Sequence, residues 1–386
     1  MKLELFGKFY DNHSLSIINR NLYKALSKIE GVEVRIISLD SYDPSYKLDK
    51  DSIRALKAAE SNSFIPDVQI RHTYPPVWAW PEHEQTKVVY IQPWEYSRIP
   101  FEWEYKFETF ADGLVVLSNH SKATIIRAGI KPSKVDIVPP GYNSELFNTQ
   151  AGDKSKFDFV DPDYFNFVYV GNSQWRKGLD ILLRAWSRVF VKADKARLII
   201  KDNPAIYGDN SILNEIIKLQ VNSGCGKIFY IDEQLSEKEM ANLYKASKIL
   251  VHPYRAEGFG MHIQEAVACG CAPIVSKNGP SDDFIFSDSY NKIETQSKII
   301  NIEDPNLFIG KAGDSYTNMG SHSFIQEPIQ EHLEYLLHTA YYTHDKSVFH
   351  ANDDKHRLTD WNQSAAMLVS AVEKYASKTT AQRGIL

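Results

Sequence analysis

From Ile249 the chain reads Ile-Leu-Val-His-Pro-Tyr-Arg-Ala-Glu257-Gly-Phe-Gly-Met-His-Ile-Gln-Glu265-Ala-Val-Ala-Cys269-Gly-Cys-Ala-Pro-Ile-Val275. Ile249 to His252 is a short apolar run of strand length. Met261 to Cys269 is apolar and stopped by Gly270, which predicts a helix with a glycine C-cap. Ala272 to Val275 predicts the next buried strand. Glu257 then falls in the turn at the helix entrance, with Glu265 two turns inside. At a rise of about 1.5 Å per residue the two acids lie roughly 10 Å apart. Gly258 and Gly260 allow the backbone close to a ligand, and the first N–H groups of the helix suit an anionic oxygen. A hydroxyl-rich ligand with phosphates in its middle fits both ends of this device.

The surrounding chain has the composition of a globular protein. Of 386 residues, 43% are hydrophobic and 24% charged, and two domains are the expectation at this length. A net charge of -5 implies no general attraction to nucleic acid or to a membrane surface. Cys225, Cys269 and Cys271 cannot make a disulfide framework, and Cys269-x-Cys271 reads as two small buried residues rather than metal ligands. Met1 to Phe6 is too short and too charged for a signal peptide, and no apolar run approaches membrane-spanning length. The expectation is a cytoplasmic protein, with peripheral membrane contact still open to it.

Outward from the decisive stretch, short strands alternate with helical patterns. Strands are predicted at Leu3–Phe6, Val32–Ile37, Val68–Ile70, Val88–Ile91, Gly113–Leu117 and Val135–Val138, with an amphipathic helix over Ser14–Ile29. Pro139-Pro-Gly-Tyr-Asn143 breaks the rhythm as an interdomain connection. The rhythm restarts with strands at Phe165–Val170, Arg197–Lys201 and Lys227–Ile231, a helix from Gly178 to Val191, and a capping box at Ser236–Glu239. Trp361, Ala365, Leu368, Val372 and Tyr375 form an apolar stripe at helical spacing, whereas residues 301–350 show no clear period. The fold class is therefore α/β, with two Rossmann-like doubly wound domains on a common cleft. The expected division is 1–145, 146–360 and a final helical segment 361–386.

Pro253 to Ala266, with its Glu257-Gly-Phe-Gly…Glu265 core, resembles the two-glutamate signature of the retaining GT-B glycosyltransferases of family 4. An isolated pair of glutamates at this spacing would read as solvated. Inside strand, Gly-Phe-Gly turn, helix and strand it reads as a ligand grip. The resemblance implies the GT-B fold, with the last helix crossing back to the N-terminal domain. It also implies that Glu257 binds donor sugar hydroxyls, that Gly258, Phe259, Gly260 and Met261 line the sugar and phosphates through their backbone, and that Glu265 accepts from the ribose hydroxyls.

Val170-Gly171-Asn172-Ser-Gln-Trp-Arg176-Lys177-Gly178-Leu-Asp180 lies where another strand ends and a helix begins. A departing diphosphate gains charge as its glycosidic bond breaks, so fixed cations there lower the barrier. Lys177 matches the family's phosphate-binding lysine. Many members carry Arg just after the strand glycine Gly171, where this chain has Asn172, and Arg176 or Lys201 are candidates for the missing charge. Arg176 reads equally as a solvated cation at a helix start. On the N-terminal side, His13 and Ser14 follow the first strand, Ser14 reading either as an N-cap or as a phosphate contact. His72, Gln92 and Glu95 also follow strands. Gln92-Pro93 stands where many members have His-Asp, and Glu95 either touches the acceptor or pairs with Arg98.

Asp161-Pro-Asp163 reads as a turn, and with lysine and helix N-termini on the diphosphate no metal and no cofactor is expected. The implied function is metal-independent transfer of a hexose, with retention, from a nucleotide diphosphate sugar to a sugar, lipid-linked or protein acceptor, such as a cell-surface polysaccharide precursor. The alternatives are a non-catalytic nucleotide-sugar binder and a nucleotide-sugar epimerase of the same fold. A dinucleotide oxidoreductase is disfavoured, because no Gly-x-Gly-x-x-Gly follows the first strand.

Overall fold

The computed structural model describes residues 1–152, 163–204, 211–222, 224–285, 292–300, 323–342 and 357–376. Asp161 and Pro162, much of 301–350 and the last ten residues of the final segment lie outside these. Contacts divide the chain into two compact units. The first comprises Met1–Trp94, Arg98–Gly141 and the stretch from Thr359, and the second comprises Glu95–Ser97 and Tyr142–Leu358. The boundary at Gly141 falls inside the Pro-Pro-Gly-Tyr-Asn stretch.

The first unit is built on a six-stranded sheet of β1 (Lys2–Gly7), β2 (Glu33–Ser38), β3 (Val68–His72), β4 (Lys87–Ile91), β5 (Gly113–Val116) and β6 (Val135–Ile137). The order is β2-β1-β3-β4-β5-β6, and every pairing is parallel. All five residues of β3 and of β4 are buried, as strands covered on both faces must be. Each strand lies within about a residue or two of its sequence expectation.

The helix Trp361–Ala376 belongs to this unit, so the chain returns to its first domain as expected. It packs on the helix Ser14–Leu26 and on β5, burying Ala365, Leu368, Val372 and Tyr375. Ser364 Oγ donates to the Pro139 carbonyl at 2.7 Å, and the Tyr375 hydroxyl donates to Asp136 at 3.1 Å. Gly113 lies against the Tyr375 ring, with no room for a Cβ between them.

The second sheet contains β7 (Phe165–Val170), β8 (Ala196–Lys201), β9 (Lys227–Ile231), β10 (Ile249–His252), β11 (Ala272–Ser276) and β12 (Lys292–Ile293). Its order, β12-β11-β10-β7-β8-β9, is the dinucleotide-fold order of a doubly wound sheet. The order reverses between β7 and β10, which are hydrogen-bonded neighbours. Ligands in such sheets sit beyond the carboxyl ends of the strands at that reversal. Both motifs singled out in the sequence, after Val170 and after His252, emerge there.

The core under this sheet joins Phe167, Leu183, Trp186, Phe190, Leu198 and Ile274 to Leu333, Leu336 and Leu337. The last three come from the helix Gln330–Tyr342, packed on the helix Leu179–Val189, so part of the aperiodic 301–350 region completes the core. An antiparallel pair, β13 (Thr295–Ile300) and β14 (Ser323–Pro328), adjoins it in sequence. No described helix is long and apolar enough to cross a membrane.

Tyr375 is 1% exposed, so Tyr375→Ala removes a filled volume from the first unit. It should cost about 3–5 kcal/mol, the range for large aromatic truncations. Urea unfolding measures this, and a loss below about 1 kcal/mol would show that the C-terminal helix does not seal that core.

Candidate functional site

The loop after β7 is shaped by its own polar groups. The Tyr169 hydroxyl donates to the Asn172 carbonyl at 3.0 Å, and Asn172 Oδ1 accepts from the Gln174 N–H at 3.2 Å. Asn172 therefore holds a turn rather than carrying the charge that Arg has there in many family members. A 3-10 turn, Trp175–Lys177, follows and ends on Gly178 at φ 73°. A Cβ on Gly178 would run into the Pro253 carbonyl, so only glycine lets this loop lie against the loop after β10.

Arg255 fastens the two loops together. Its N–H donates to the Arg176 carbonyl at 2.7 Å, with the Ala256 N–H sharing that acceptor at 3.3 Å. Its guanidinium reaches the Trp175 carbonyl at 2.6 Å, both Asp180 oxygens at 2.7 and 2.9 Å, and both Glu327 oxygens at 2.9 and 3.0 Å. Burial works against this charge, but Asp180 and Glu327 hold the guanidinium above its ordinary pKa. The planar fork of Arg suits these bidentate contacts, and Lys would lose them.

The braced loops bring together Lys177, Arg176 and Glu257. Lys177 Nζ pairs directly with Glu257 Oε2. Arg176 lies 3.8 Å from the same carboxylate and 3.1 Å from Glu95. Burial alone would raise the Glu257 pKa, but its surroundings, Lys177 foremost and Arg176 among the rest, hold it well below the usual carboxylate range. Lys177 is itself lowered, because burial outweighs the attraction of Glu257. We take the pair as ionised, since a second cation, Arg176, stabilises the same carboxylate. Beside it sit His252 and His262, rings 4.1 Å apart and edge to face, both kept neutral at pH 7 by burial.

Gly260 takes φ 94° at the N-cap of the helix Met261–Ala268, and no side chain caps that end. Phe259 packs against Phe284, the tilted rings 5.1 Å apart, so its side chain is packing, and Met261 is half-buried. Gly171, between Tyr169 and His252, is tightly enclosed. Lys201 ends β8 with Nζ turned to the Asp202 carbonyl, and burial lowers it to about 8. Glu265, half-buried on the helix, accepts from the Tyr244 hydroxyl at 3.2 Å. Burial, reinforced by Glu237, pushes the Glu265 carboxyl up to about 8.

The expected N-terminal residues divide differently. Glu95 pairs with Arg176 at 3.1 Å and is not part of the first unit, although it follows a strand of that unit's sheet. Arg176 lies 81 positions further along the chain, and local sequence does not encode that pairing. Ser14 is not the N-cap either. His13 occupies that position, and Asp11 accepts from the His13 N–H at 2.9 Å and the Ser16 hydroxyl at 2.5 Å. His72 is buried against Asn19 at 2.8 Å, with its pKa held down to about 3, and Gln92 is buried and bonded to the Pro93 carbonyl at 3.0 Å. His13, Ser14, His72 and Gln92 all lie in the first unit.

Arg255, Tyr244, His252 and His262 went unremarked in the sequence. The only signal was polar or charged residues inside otherwise apolar runs, at Arg255 before the turn and His262 in the helix.

Residues 153–298 match the family model "Glycosyl transferases group 1", and residues 51–146 match "Glycosyltransferase Family 4". A curated relative, D-inositol 3-phosphate glycosyltransferase 1 of Catenulispora acidiphila, is 32% identical over 171 residues, 43% of this chain and 41% of the relative. The chain thus spans about two fifths of the length of that relative. Among solved structures, Anabaena HepE in complex with UDP and glucose superposes with a TM-score of 0.64 at 13% identity, covering 97% of this chain and all of that one. Sucrose-phosphate synthase of Thermosynechococcus elongatus gives 0.66 at 14% identity, covering 97% of this chain and 98% of that one. These two structures share the fold.

The raised Glu265 gives a pH test. A carboxyl whose folded pKa exceeds its unfolded value leaves the native state holding the extra proton between the two, so stability falls as pH rises through that window. Relative to Glu265→Gln, the wild-type chain should lose stability between the unfolded value of 4.5 and about 8, and level off above it. Urea midpoints of both proteins across that range read this out. A wild-type difference that stays flat from pH 5 to 8 would place Glu265 in solvent.

Proposed function

We propose that this chain, which by its two matched domains belongs to the family-4 GT-B glycosyltransferases, transfers a hexose from a nucleotide diphosphate sugar to an acceptor with retention at the anomeric carbon. The observation that carries this reading is the meeting of Glu257, Lys177 and Arg176 at the strand-order reversal of the second sheet.

In this mechanism the donor diphosphate takes Lys177 and Arg176 from the carboxylates that now hold them. Glu257, released from Lys177, accepts from the hydroxyls of the sugar. The N-terminal end of the helix Met261–Ala268 presents its backbone to the phosphates. As the bond from the anomeric carbon to the diphosphate oxygen breaks, the growing negative charge meets two fixed cations. The acceptor oxygen bonds to the same face of that carbon, and its proton passes to the departing phosphate. Glu265, next to Tyr244, takes the ribose hydroxyls. Charge on the diphosphate is balanced by side chains, so this route uses no divalent ion and no cofactor.

Acceptor and location are finer readings. The acceptor is a sugar, a lipid-linked saccharide or a protein, and the name of the curated relatives adds a phosphorylated cyclitol to the first compounds to assay. A cytoplasmic protein with peripheral membrane contact fits a lipid-linked acceptor.

A thermal-shift screen of nucleoside diphosphates, then of their sugars, with product analysis of the best donor, tests the assignment. Glu257→Gln keeps the shape of the side chain and should lower kcat/KM for transfer about 10²–10³-fold, and Lys177→Ala should lower kcat by a similar factor. Unchanged transfer by either variant would remove that residue from the site.

A further inference from the structure

Two imidazoles and a carboxylate converge at the foot of the β10 turn. His252, at the end of β10, is 0% exposed and lies between Tyr169 at 5.2 Å and Tyr254 at 5.8 Å. Among the described residues neither of its ring nitrogens has a hydrogen-bond partner, and neither does Nε2 of His262. His252 Nε2 comes only to 3.8 Å from Glu257 Oε2, too far for a hydrogen bond. Buried imidazole nitrogens left without partners cost free energy, and native interiors seldom leave them so. One ligand atom each from His252, Glu257 and His262 lies within 4.8 Å of the other two. The three residues stand on a strand end, the adjoining turn and the first turn of a helix, so their separation is fixed by the sheet.

We propose that His252, Glu257 and His262 form a binding site for a borderline-soft divalent cation of the zinc and cobalt class, which takes Glu257 in place of Lys177. Two neutral imidazole nitrogens and one carboxylate oxygen are a donor set that favours these ions over magnesium or calcium, which prefer all-oxygen shells. Lys177 and Arg176 oppose the ion by charge, and Lys177 occupies the very oxygen that faces His252. Cation and ammonium are therefore alternatives on one carboxylate. The ion is not a cofactor of the transfer proposed above, since it occupies the group that would hold the sugar. Its binding is independent of that reading, because it is measured without any nucleotide.

The experiment titrates the untagged, metal-stripped full chain with Co²⁺ alone, following heat and the visible absorption of the bound ion. The wild-type chain should bind one Co²⁺ with a spectrum of nitrogen-ligated, low-coordinate cobalt. His262→Ala, at a half-buried position and with retained folding checked by circular dichroism, should weaken binding at least about tenfold, as loss of a metal-site residue does. Lys177→Ala should tighten it by removing the competing ammonium. Absence of Co²⁺ binding in the wild-type chain, affinity unchanged by His262→Ala, or weaker binding in Lys177→Ala would each overturn the site.

Discussion

The site depends on a single buried guanidinium. Arg255 is 4% exposed, yet it bonds a backbone carbonyl and two carboxylates, and its own N–H holds the carbonyl of Arg176. Through it the loop after β7 and the loop after β10 become one body with the β14 strand that carries Glu327. Without such a brace, two loops on neighbouring strands would each sample several shapes, and the distance from Lys177 to Glu257 would spread accordingly. Preorganised charge is worth more than mobile charge because nothing has to be reoriented when the reacting group arrives. The glycine at 178 belongs to the same constraint, since any side chain there would push the loops apart. A buried ion network is weak evidence for net stability, because desolvation offsets much of its attraction. Its contribution here is geometric.

The braced cluster is also balanced in charge. Lys177 and Arg176 face Glu257 and Glu95, two cations on two anions. In the proposed reaction a diphosphate brings negative charge into this cluster, and the cations change partners instead of being created or desolvated anew. That exchange has a cost, since ionic contacts must break before new ones form. It also has a use, because the cations are kept inside and in place while no donor is bound.

Much of the fold was legible from the chain because it is written in local pattern. The strand–helix alternation, the Ser236 capping box and the glycine after Cys269 are all short-range signals, and the structure carries each of them. The Glu257-Gly-Phe-Gly turn was legible for the same reason, since it needs only its own strand and helix. Arg255 was not, because its partners Asp180 and Glu327 lie 75 and 72 positions away. The pairing of Glu95 with Arg176 was not legible for the same reason. Residues 323–342 showed no period, although Leu333, Leu336 and Leu337 fill the second core, because a hairpin strand and a helix share that short span.

Glu257 and Glu265 show how far environment outranks residue type. They sit on one turn and one helix, but Glu257 is held ionised by Lys177 and Arg176, whereas Glu265 is kept protonated to about pH 8 by burial and by the charge of Glu237. Pairs of like groups pushed in opposite directions mark divided roles in a site. An ionised carboxylate only accepts hydrogen bonds, which suits a sugar whose hydroxyls all donate to it. A protonated carboxyl both donates and accepts, and Tyr244 already supplies one hydrogen bond to it. In the proposed function the ribose end of the donor would therefore meet a neutral partner, and the sugar end a charged one. Electrostatic attraction is then concentrated where the bond breaks, and the nucleoside is held by shape and neutral hydrogen bonds.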